Sequence, residues 1–267
     1  MAHDERPIGV FDSGLGGLTV VRALLDLLPG EDVVYFGDTG RFPYGPKPAE
    51  DVLKYSLEIT DLLLERRVKM IVVACNSASA AALEQLRDRL DVPVVGVIEP
   101  GVRAAVRATR SGRVGVIGTV GTIGSGAYQR AAHEVAPEIA LTCAACPGFV
   151  EFVESGDVDS DQVHVLAERL LAPIRDAEVD TLVLGCTHYP MLARTISDVV
   201  GPEVVLVSSA DETAFEVRAS LGVAAGTPTT DDRRVSFITS GDIGIFRRLG
   251  ARFLGPEVER VEAWTWS

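Results

Sequence analysis

Basic residues are scarce in this sequence of 267 residues, which holds 25 Lys and Arg against 38 Asp and Glu. A net charge of −13 provides no basic face for a nucleic-acid backbone or an anionic membrane, so we expect neither partner. Only three lysines occur, Lys47, Lys54 and Lys69. A pyridoxal phosphate enzyme needs a lysine for its Schiff base, and none of the three follows a predicted strand. We therefore expect no cofactor.

Cysteines and long apolar runs are also few. Four cysteines in a chain of this length do not make a disulfide framework, so we expect free thiols. No apolar run approaches the ~18 residues that a membrane-spanning helix requires. The first seven residues, MAHDERP, lack the apolar centre of an export signal. These absences predict a cytoplasmic location.

Short apolar runs alternate with amphipathic stretches along the whole sequence. Runs that are apolar throughout are typical of strands covered on both faces, as in a parallel sheet. They are residues 8–11, 33–36, 70–74, 92–98, 114–117, 139–143, 181–184 and 204–207. Helical spacing of apolar residues occurs at 18–28, 52–65, 78–90, 162–175 and 211–221. The alternation predicts an α/β fold with mainly parallel sheets.

Two pairs of segments in the sequence resemble each other. Residues 8–13 (IGVFDS) are similar to 114–119 (VGVIGT), and 72–77 (VVACNS) to 183–188 (VLGCTH). Each reads as a strand, a small polar turn and a helix, which predicts two similar α/β domains related by a pseudo-two-fold axis. The segment after residue 209 is small for a core of its own. We therefore expect residues 1–98 plus 210–267 to form one domain and 99–209 the other.

Polar residues follow three of the predicted strands. They are Asp12-Ser13-Gly14, Cys75-Asn76-Ser77 and Cys186-Thr187-His188. Ligands of open α/β sheets bind at this edge, where helix N-termini direct backbone N–H groups at them. Hydroxyl, amide and backbone N–H groups suit the carboxylates of an amino acid. The helix dipole at such a position is expected to lower the pKa of both thiols from ~8.5.

Cysteines at equivalent positions of two halves favour one kind of chemistry. Inversion of a stereocentre needs one group to remove a proton from one face of a carbon, and another group to return a proton to the opposite face. A thiolate and a thiol across a cleft can do this in both directions by exchanging roles. A single Cys nucleophile has no use for a second cysteine. The pattern therefore indicates a racemase or a related isomerase.

Further motifs make the sequence recognisable. They are GVFDSGLGGLT at residues 9–19, Asp38, Pro43-Tyr44-Gly45, ACNSASA at 74–80, Gly118, Thr119, Thr122, LGCTHYP at 184–190 and TSGD at 239–242. In this order they resemble the bacterial glutamate racemase family, within the aspartate/glutamate racemase superfamily. The sequence departs from the family at Ser77, where threonine is usual and the hydroxyl is kept, and at Glu151, where proline is usual.

The resemblance implies two three-layer α/β domains with the active site in the cleft between them, and a homodimer. It also implies a cofactor-independent interconversion of L- and D-glutamate that supplies D-glutamate for peptidoglycan, with no metal. Cys75 would act on D-glutamate with help from Asp12, and Cys186 on L-glutamate with help from Glu154 and His188. Substrate contacts are expected from Asp12, Ser13, Tyr44, Gly45, Asn76, Ser77, Thr119, Thr122, Thr187 and His188.

Other interpretations of these residues stay open. Another twin-cysteine racemase or isomerase would act on aspartate, hydantoins or maleate, and a two-lobed binding protein would need no reactive thiols. Cys143 and Cys146 have redox-motif spacing, but they end a predicted strand before Pro147, so we expect them to pack in the core. The glycines of residues 14–17 imitate a dinucleotide fingerprint, but Asp12 would repel a pyrophosphate.

Overall fold

The computed structural model describes residues 4–223 and 233–266. Its strands are β1 (Ile8–Asp12), β2 (Val33–Gly37), β3 (Met70–Val73), β4 (Val94–Gly96), β5 (Arg113–Gly118), β6 (Ala140–Ala145), β7 (Thr181–Gly185), β8 (Val205–Val207), β9 (Val235–Thr239) and β10 (Val261–Ala263). Its helices are α1 (Leu18–Leu27), α2 (Ala49–Glu65), α3 (Asn76–Arg89), α4 (Ile98–Ala108), α5 (Val120–Gly124), α6 (Ala127–Val135), α7 (Phe149–Ser155), α8 (Asp161–Leu170), α9 (Ala172–Asp176), α10 (Ala193–Val200), α11 (Ala210–Leu221) and α12 (Ile243–Leu254). A 3₁₀ turn spans Tyr189–Leu192.

The strands form two parallel sheets. The first has six strands in the order β10-β9-β2-β1-β3-β4, and the second has four in the order β6-β5-β7-β8. We call the first sheet with its helices the first lobe, and the second sheet with its helices the second lobe. Strands β9 and β10, late in the sequence, thus lie in the same sheet as β1. The exact division into domains at residues 98 and 209 stays a prediction.

Both sheets are covered on their two faces, which explains why the strands are apolar throughout. In β1, Val10 packs on one face with residues of α1, α11 and α12, and Phe11 packs on the other with residues of α2 and α3. In the second sheet, Leu182 faces α7, α8 and α10, and Val183 faces α4 and α6. Each lobe therefore has three layers, and the predicted α/β fold with parallel sheets is confirmed.

The structure corrects some predicted boundaries. The strand predicted at 92–98 is shorter, because Ile98 already begins α4. The helix predicted at 162–175 is interrupted at Leu171 and resumes as α9, with Pro173 in its first turn, where a missing N–H costs no helical hydrogen bond. The apolar pattern does not predict β9 or β10, because their short segments mix polar and apolar residues. Among the described residues, no helix has both the length and the apolar character needed to cross a membrane.

The strand orders place the polar turns opposite each other. In the first sheet β1 lies between β2 and β3, and in the second β5 lies between β6 and β7. The chain therefore leaves the central strand to one side and returns on the other, which opens a crevice at the carboxyl ends of the strands. Asp12 and Cys75 lie at this edge of the first sheet, and Thr119 and Cys186 lie at this edge of the second.

Candidate active site

Cys75 lies directly after β3 and caps the N-terminus of α3 with an extended backbone. Its side chain is 5% exposed, and its Sγ lies 3.6 Å from Oγ of Ser13, which follows β1. The hydrogen bonds between β1 and β3 hold the two turns next to each other, since Phe11 pairs with Val73 in the parallel register. A reactive thiol and a hydroxyl thus share one edge of the first sheet.

Asp12 is the last residue of β1 and is completely buried. Its Oδ2 accepts a hydrogen bond of 2.9 Å from the backbone N–H of Gly14. Burial raises the pKa of Asp12 above its usual range. Burial and the nearby charge of Asp12 also raise the pKa of Cys75 to about 12. The expected lowering of the pKa is therefore wrong for Cys75, because loss of hydration outweighs the helix dipole at this buried position.

Cys186 has a different set of neighbours. It follows β7 and precedes a 3₁₀ turn, where the sequence pattern predicts a helix start. Its Sγ lies 3.9 Å from Nδ1 of His188, whose Nε2 lies 3.0 Å from Oε1 of Glu154 on α7. Burial alone would lower the pKa of His188, but its contacts with Cys186 and Glu154 raise that pKa to about 10. The raised pKa favours the protonated, positively charged imidazole of His188 beside the sulfur at neutral pH.

The two lobes meet directly at these residues. Oγ1 of Thr187 lies 3.5 Å from Oδ1 of Asp12. A Cβ added to Gly16 would lie 2.2 Å from Oγ1 of Thr187 and 2.6 Å from Nδ1 of His188. Only a glycine at this position lets the loop after β1 approach the Cys186 segment so closely.

One cavity is shared by both cysteines. Its lining residues are Ser13, Phe42, Pro43, Tyr44, Gly45, Cys75, Asn76, Ser77, Thr119, Val150, Cys186, Thr187 and His188. Its volume of about 20 Å³ holds little more than one water molecule, so an amino acid can enter only if the lobes or the loops move apart. A larger cavity of about 140 Å³ lies between α3, α4 and α6 and is lined by none of the predicted site residues.

Three hydroxyl groups form a cluster at one side of this cavity. Oγ of Ser77 lies 3.0 Å from Oγ1 of Thr119 and 3.2 Å from Oγ1 of Thr122, and the two threonine oxygens are 2.9 Å apart. Ser77 and Thr119 line the cavity, while Thr122 is buried behind them. Ser77, where the family usually has threonine, thus keeps a hydroxyl, and this hydroxyl is within hydrogen-bonding distance of both threonines.

A family model described as Asp/Glu/Hydantoin racemase matches residues 8–216. The chain belongs to the Asp/Glu/Hydantoin racemase family. It is 55% identical to the glutamate racemase of Acidothermus cellulolyticus over 96% of this chain and 97% of that protein. It is 51% identical to that of Corynebacterium diphtheriae, over 97% and 98% of the two chains. The predicted resemblance to glutamate racemases is confirmed.

Solved structures of glutamate racemases have the same fold as this member of the family. The Bacillus anthracis isoform RacE1 superposes with a TM-score of 0.90 at 39% identity, covering 99% of this chain and 98% of that one. The Francisella tularensis enzyme in complex with D-glutamate has a TM-score of 0.89 at 34% identity, covering 98% of each chain. The Escherichia coli enzyme in complex with L-glutamate and the activator UDP-MurNAc-ala has a TM-score of 0.80 at 30% identity, covering 97% and 98%.

Asp38, one of the motif residues, supports the wall of the cavity without lining it. Asp38 is completely buried and accepts hydrogen bonds from the hydroxyl of Tyr44, Nε of Arg41, Oγ of Ser240 and Nε1 of Trp266. Because Tyr44 lines the cavity, Asp38 ties the wall of the cavity to the C-terminal segment. Arg41 and Tyr44 lie within 6 residues of Asp38, but Ser240 and Trp266 lie 202 and 228 residues away, so no local pattern identifies the whole cluster.

The remaining cysteines lie outside the cavity. Cys143 is half-buried in β6, and burial raises its pKa to about 11. Cys146 is buried in the core, and its pKa is raised to about 12, mainly by burial. All four thiols are free. Within residues 4–223 and 233–266, no cluster of three or more His, Cys, Asp or Glu side chains could hold a metal ion.

Proposed function

We propose that the protein interconverts L- and D-glutamate without a cofactor, using the thiols of Cys75 and Cys186. The observation that carries this proposal is the shared cavity, to which each lobe contributes one cysteine. Family membership supports a racemase, and the curated relatives at more than 50% identity are glutamate racemases. Two of the solved relatives hold D-glutamate or L-glutamate.

The charges around the two sulfurs suggest the order of proton transfers. The positive charge of His188, 3.9 Å from Cys186, stabilises a thiolate there. The raised pKa of Cys75 favours a thiol that carries its proton. With L-glutamate bound, Cys186 removes the Cα proton and the electron pair stays on Cα. Cys75 then gives its proton to the opposite face, which leaves D-glutamate, a thiol at Cys186 and a thiolate at Cys75.

The reverse reaction uses the same groups in exchanged roles. Cys75 as a thiolate removes the Cα proton of D-glutamate, and Cys186 as a thiol protonates the other face. We assign Asp12 to assist Cys75, and His188 with Glu154 to assist Cys186, as the resemblance implies. The lengths of the contacts support this division, since Glu154 is within hydrogen-bonding distance of His188 and Asp12 lies beside the Cys75 turn.

The polar groups of the cavity fit a substrate that carries two carboxylates and one ammonium group. We assign substrate contacts to Asp12, Ser13, Tyr44, Gly45, Asn76, Ser77, Thr119, Thr122, Thr187 and His188. Among the residues lining the cavity none is Arg or Lys, so hydroxyl, amide and backbone N–H groups would hold the carboxylates. Thr122 lies behind Ser77 and Thr119, and its contribution would be to orient their hydroxyls.

The cellular role follows from the reaction. D-glutamate is a building block of peptidoglycan, so we propose that the enzyme serves cell-wall biogenesis and cell shape. Four free thiols suit a reducing compartment, which supports a cytoplasmic location. A homodimer is proposed from the family resemblance, and sedimentation of the purified protein would test it.

Circular dichroism of amino acid solutions tests the reaction itself. Purified protein without added cofactor should remove the optical activity of L-glutamate and of D-glutamate, and in deuterated water the product should carry deuterium at Cα. A faster loss with L-aspartate or a hydantoin would assign the protein to another member of the family. Binding of glutamate with no change in its optical activity would indicate that the protein is a binding protein and not a racemase.

A further inference from the structure

Tyr128 lies between the two segments that carry the cysteines. It belongs to α6, and its ring is completely buried in the second lobe beside Ile98 and Val183. Its hydroxyl oxygen accepts a hydrogen bond of 2.9 Å from Nδ2 of Asn76, the residue after Cys75. This bond crosses from the first lobe to the second, because Asn76 begins α3.

The same ring lies against the segment of the other cysteine. A Cβ added to Gly185, the residue before Cys186, would lie 3.0 Å from Cε2 and 3.1 Å from the hydroxyl oxygen of Tyr128. Few Cβ atoms in proteins have contacts this short, so the glycine makes room for the ring. Tyr128 therefore contacts the neighbour of each cysteine while it lies outside the cavity lining.

The hydrogen bond to Tyr128 determines which atom of the Asn76 side chain is left to bind a ligand. Asn76 is 3% exposed and lines the cavity. With Nδ2 bound to Tyr128, its Oδ1 is buried without a partner among the described residues. A buried carbonyl without a hydrogen-bond partner is destabilising, and a hydrogen-bonding ligand removes that cost. Oδ1 of Asn76 is thus available to the substrate only while Nδ2 is held by Tyr128.

We propose that Tyr128 is a positioning residue that holds the amide of Asn76 toward the substrate across the boundary between the lobes. This role rests on the proposed racemase function of the cavity. Without the hydroxyl, the amide can turn about its χ2 angle and lose the orientation that binds the substrate. The interaction with substrate exists before and during proton transfer, so its loss weakens both states alike and raises KM with little change in kcat.

Tyr128→Phe removes the hydroxyl and keeps the ring. For racemisation of glutamate we expect KM to rise about tenfold and kcat to stay within about twofold, as loss of one hydrogen bond of about 1 kcal/mol or slightly more implies. Thr195→Val is the matched control, because Thr195 is a buried residue of the second lobe that donates to the carbonyl of Val158, and neither residue lines the cavity. It should cost comparable stability in urea unfolding and leave KM unchanged.

A double-mutant cycle with Asn76→Ala separates positioning from a structural role. If Tyr128 acts through Asn76, the double variant Asn76→Ala/Tyr128→Phe has the same kcat/KM as Asn76→Ala alone. Losses that multiply would overturn the proposal, as would a Tyr128→Phe enzyme with wild-type KM. If Asn76→Ala is too slow to assay, binding of D-glutamate measured by calorimetry closes the same cycle.

The outcomes also separate this proposal from the one it rests on. A wild-type protein that does not racemise glutamate contradicts the proposed function, whatever Tyr128 does. A wild-type protein that racemises glutamate, with Tyr128→Phe unaffected, contradicts only the positioning role.

Discussion

Cys75 and Cys186 occupy equivalent positions after β3 and β7, yet the groups around the two sulfurs differ in charge. Cys75 caps a helix of 14 residues and lies beside a buried carboxyl, Asp12. Cys186 precedes a short 3₁₀ turn and lies 3.9 Å from His188, which Glu154 holds. The two lobes thus place a sulfur at equivalent positions and surround it with different charges.

This difference in charge matters because the L-to-D and the D-to-L reactions begin at different sulfurs. The equilibrium constant between enantiomers is one, so kcat/KM must be equal in the two directions however unequal the two sides are. Between turnovers, a site with unequal sides can still hold the proton mainly on one of its two sulfurs. The raised pKa of Cys75 keeps a proton on that sulfur, and in the proposed mechanism this is the state that accepts L-glutamate.

The largest expected effect comes from removing either sulfur. Cys75→Ala and Cys186→Ala should each reduce racemisation by at least ~10³, because a proton donor or acceptor on one face of Cα is lost. Circular dichroism of L- and D-glutamate measures the loss. Cys143→Ala, a half-buried cysteine outside the cavity, is the control and should retain near-normal kcat. Normal turnover in either cavity variant would remove that cysteine from the mechanism.

The contact between the lobes can be broken at a single glycine. In Gly16→Ala the new methyl group would collide with Thr187 and His188, so the Cys186 segment must shift relative to Asp12. A displacement of this size is expected to reduce kcat/KM by about 10²-fold. Gly124→Ala is the matched control, since a Cβ there has nothing within 4 Å. Equal kinetics for the two variants would show that this contact does not set the geometry.

Selective alkylation tests the difference in charge directly. Both sulfurs are nearly equally buried, at 5% and 7% exposure, so accessibility alone does not separate them. At neutral pH we expect iodoacetamide to modify Cys186 at least ~10 times faster than Cys75, because the thiolate is the reactive form. Peptide mapping by mass spectrometry measures both rates in one sample.

Glu154→Gln tests the same difference in charge between the two sulfurs. Without its carboxylate neighbour, His188 loses part of the stabilisation of its positive charge, so Cys186 should be modified more slowly while Cys75 keeps its rate. A change in both rates would indicate a general loosening of the fold. Faster modification of Cys75 in the wild-type protein would reverse the assigned resting state.

Local patterns in the sequence predict much of this fold and of the cavity. Eight of the strands, β1 to β8, are visible as apolar runs, and the polar turns after β3 and β7 place Cys75 and Cys186 at strand ends, because apolar composition and turn chemistry are local properties. The return of β9 and β10 to the first sheet follows only from an argument about the size of the last segment, since their short sequences do not stand out.

Contacts between distant segments cannot be seen in such patterns. Tyr128 is 52 residues from Asn76 in sequence and looks like an ordinary core residue of an amphipathic helix. The cluster around Asp38 collects donors as far away as Trp266. The pKa of Cys75 depends on how completely other elements bury it, so the helix dipole, which is local, predicted the wrong direction.

The smallest expected effect concerns stability against pH. The pKa of His188 is raised to about 10 in the folded protein, against about 6.5 when unfolded. If the folded protein pairs a His188 cation with a Cys186 thiolate, as proposed, the pair holds one proton, and so does the unfolded pair of neutral imidazole and thiol between about pH 6.5 and 8.5. The proton that His188 gains is therefore offset by the proton that Cys186 loses, and the stabilities of the wild-type protein and of His188→Gln should change in parallel over this range.

Urea unfolding at pH 6.5 and at pH 8.5 measures this, and the change in stability should differ between the two proteins by less than about 1 kcal/mol. A charged His188 beside a thiol at Cys186 would instead cost the wild-type protein up to about 3 kcal/mol, since each pKa unit corresponds to about 1.4 kcal/mol. The upper end of the range avoids most of the titration of Cys75, whose raised pKa adds a similar loss only at higher pH. The other three histidines are present in both proteins, so they do not contribute to the difference between them. A loss of that size in the wild-type protein would mean that Cys186 keeps its proton beside the charged His188. Both sulfurs would then be thiols, and they would be far more alike than their surroundings indicate.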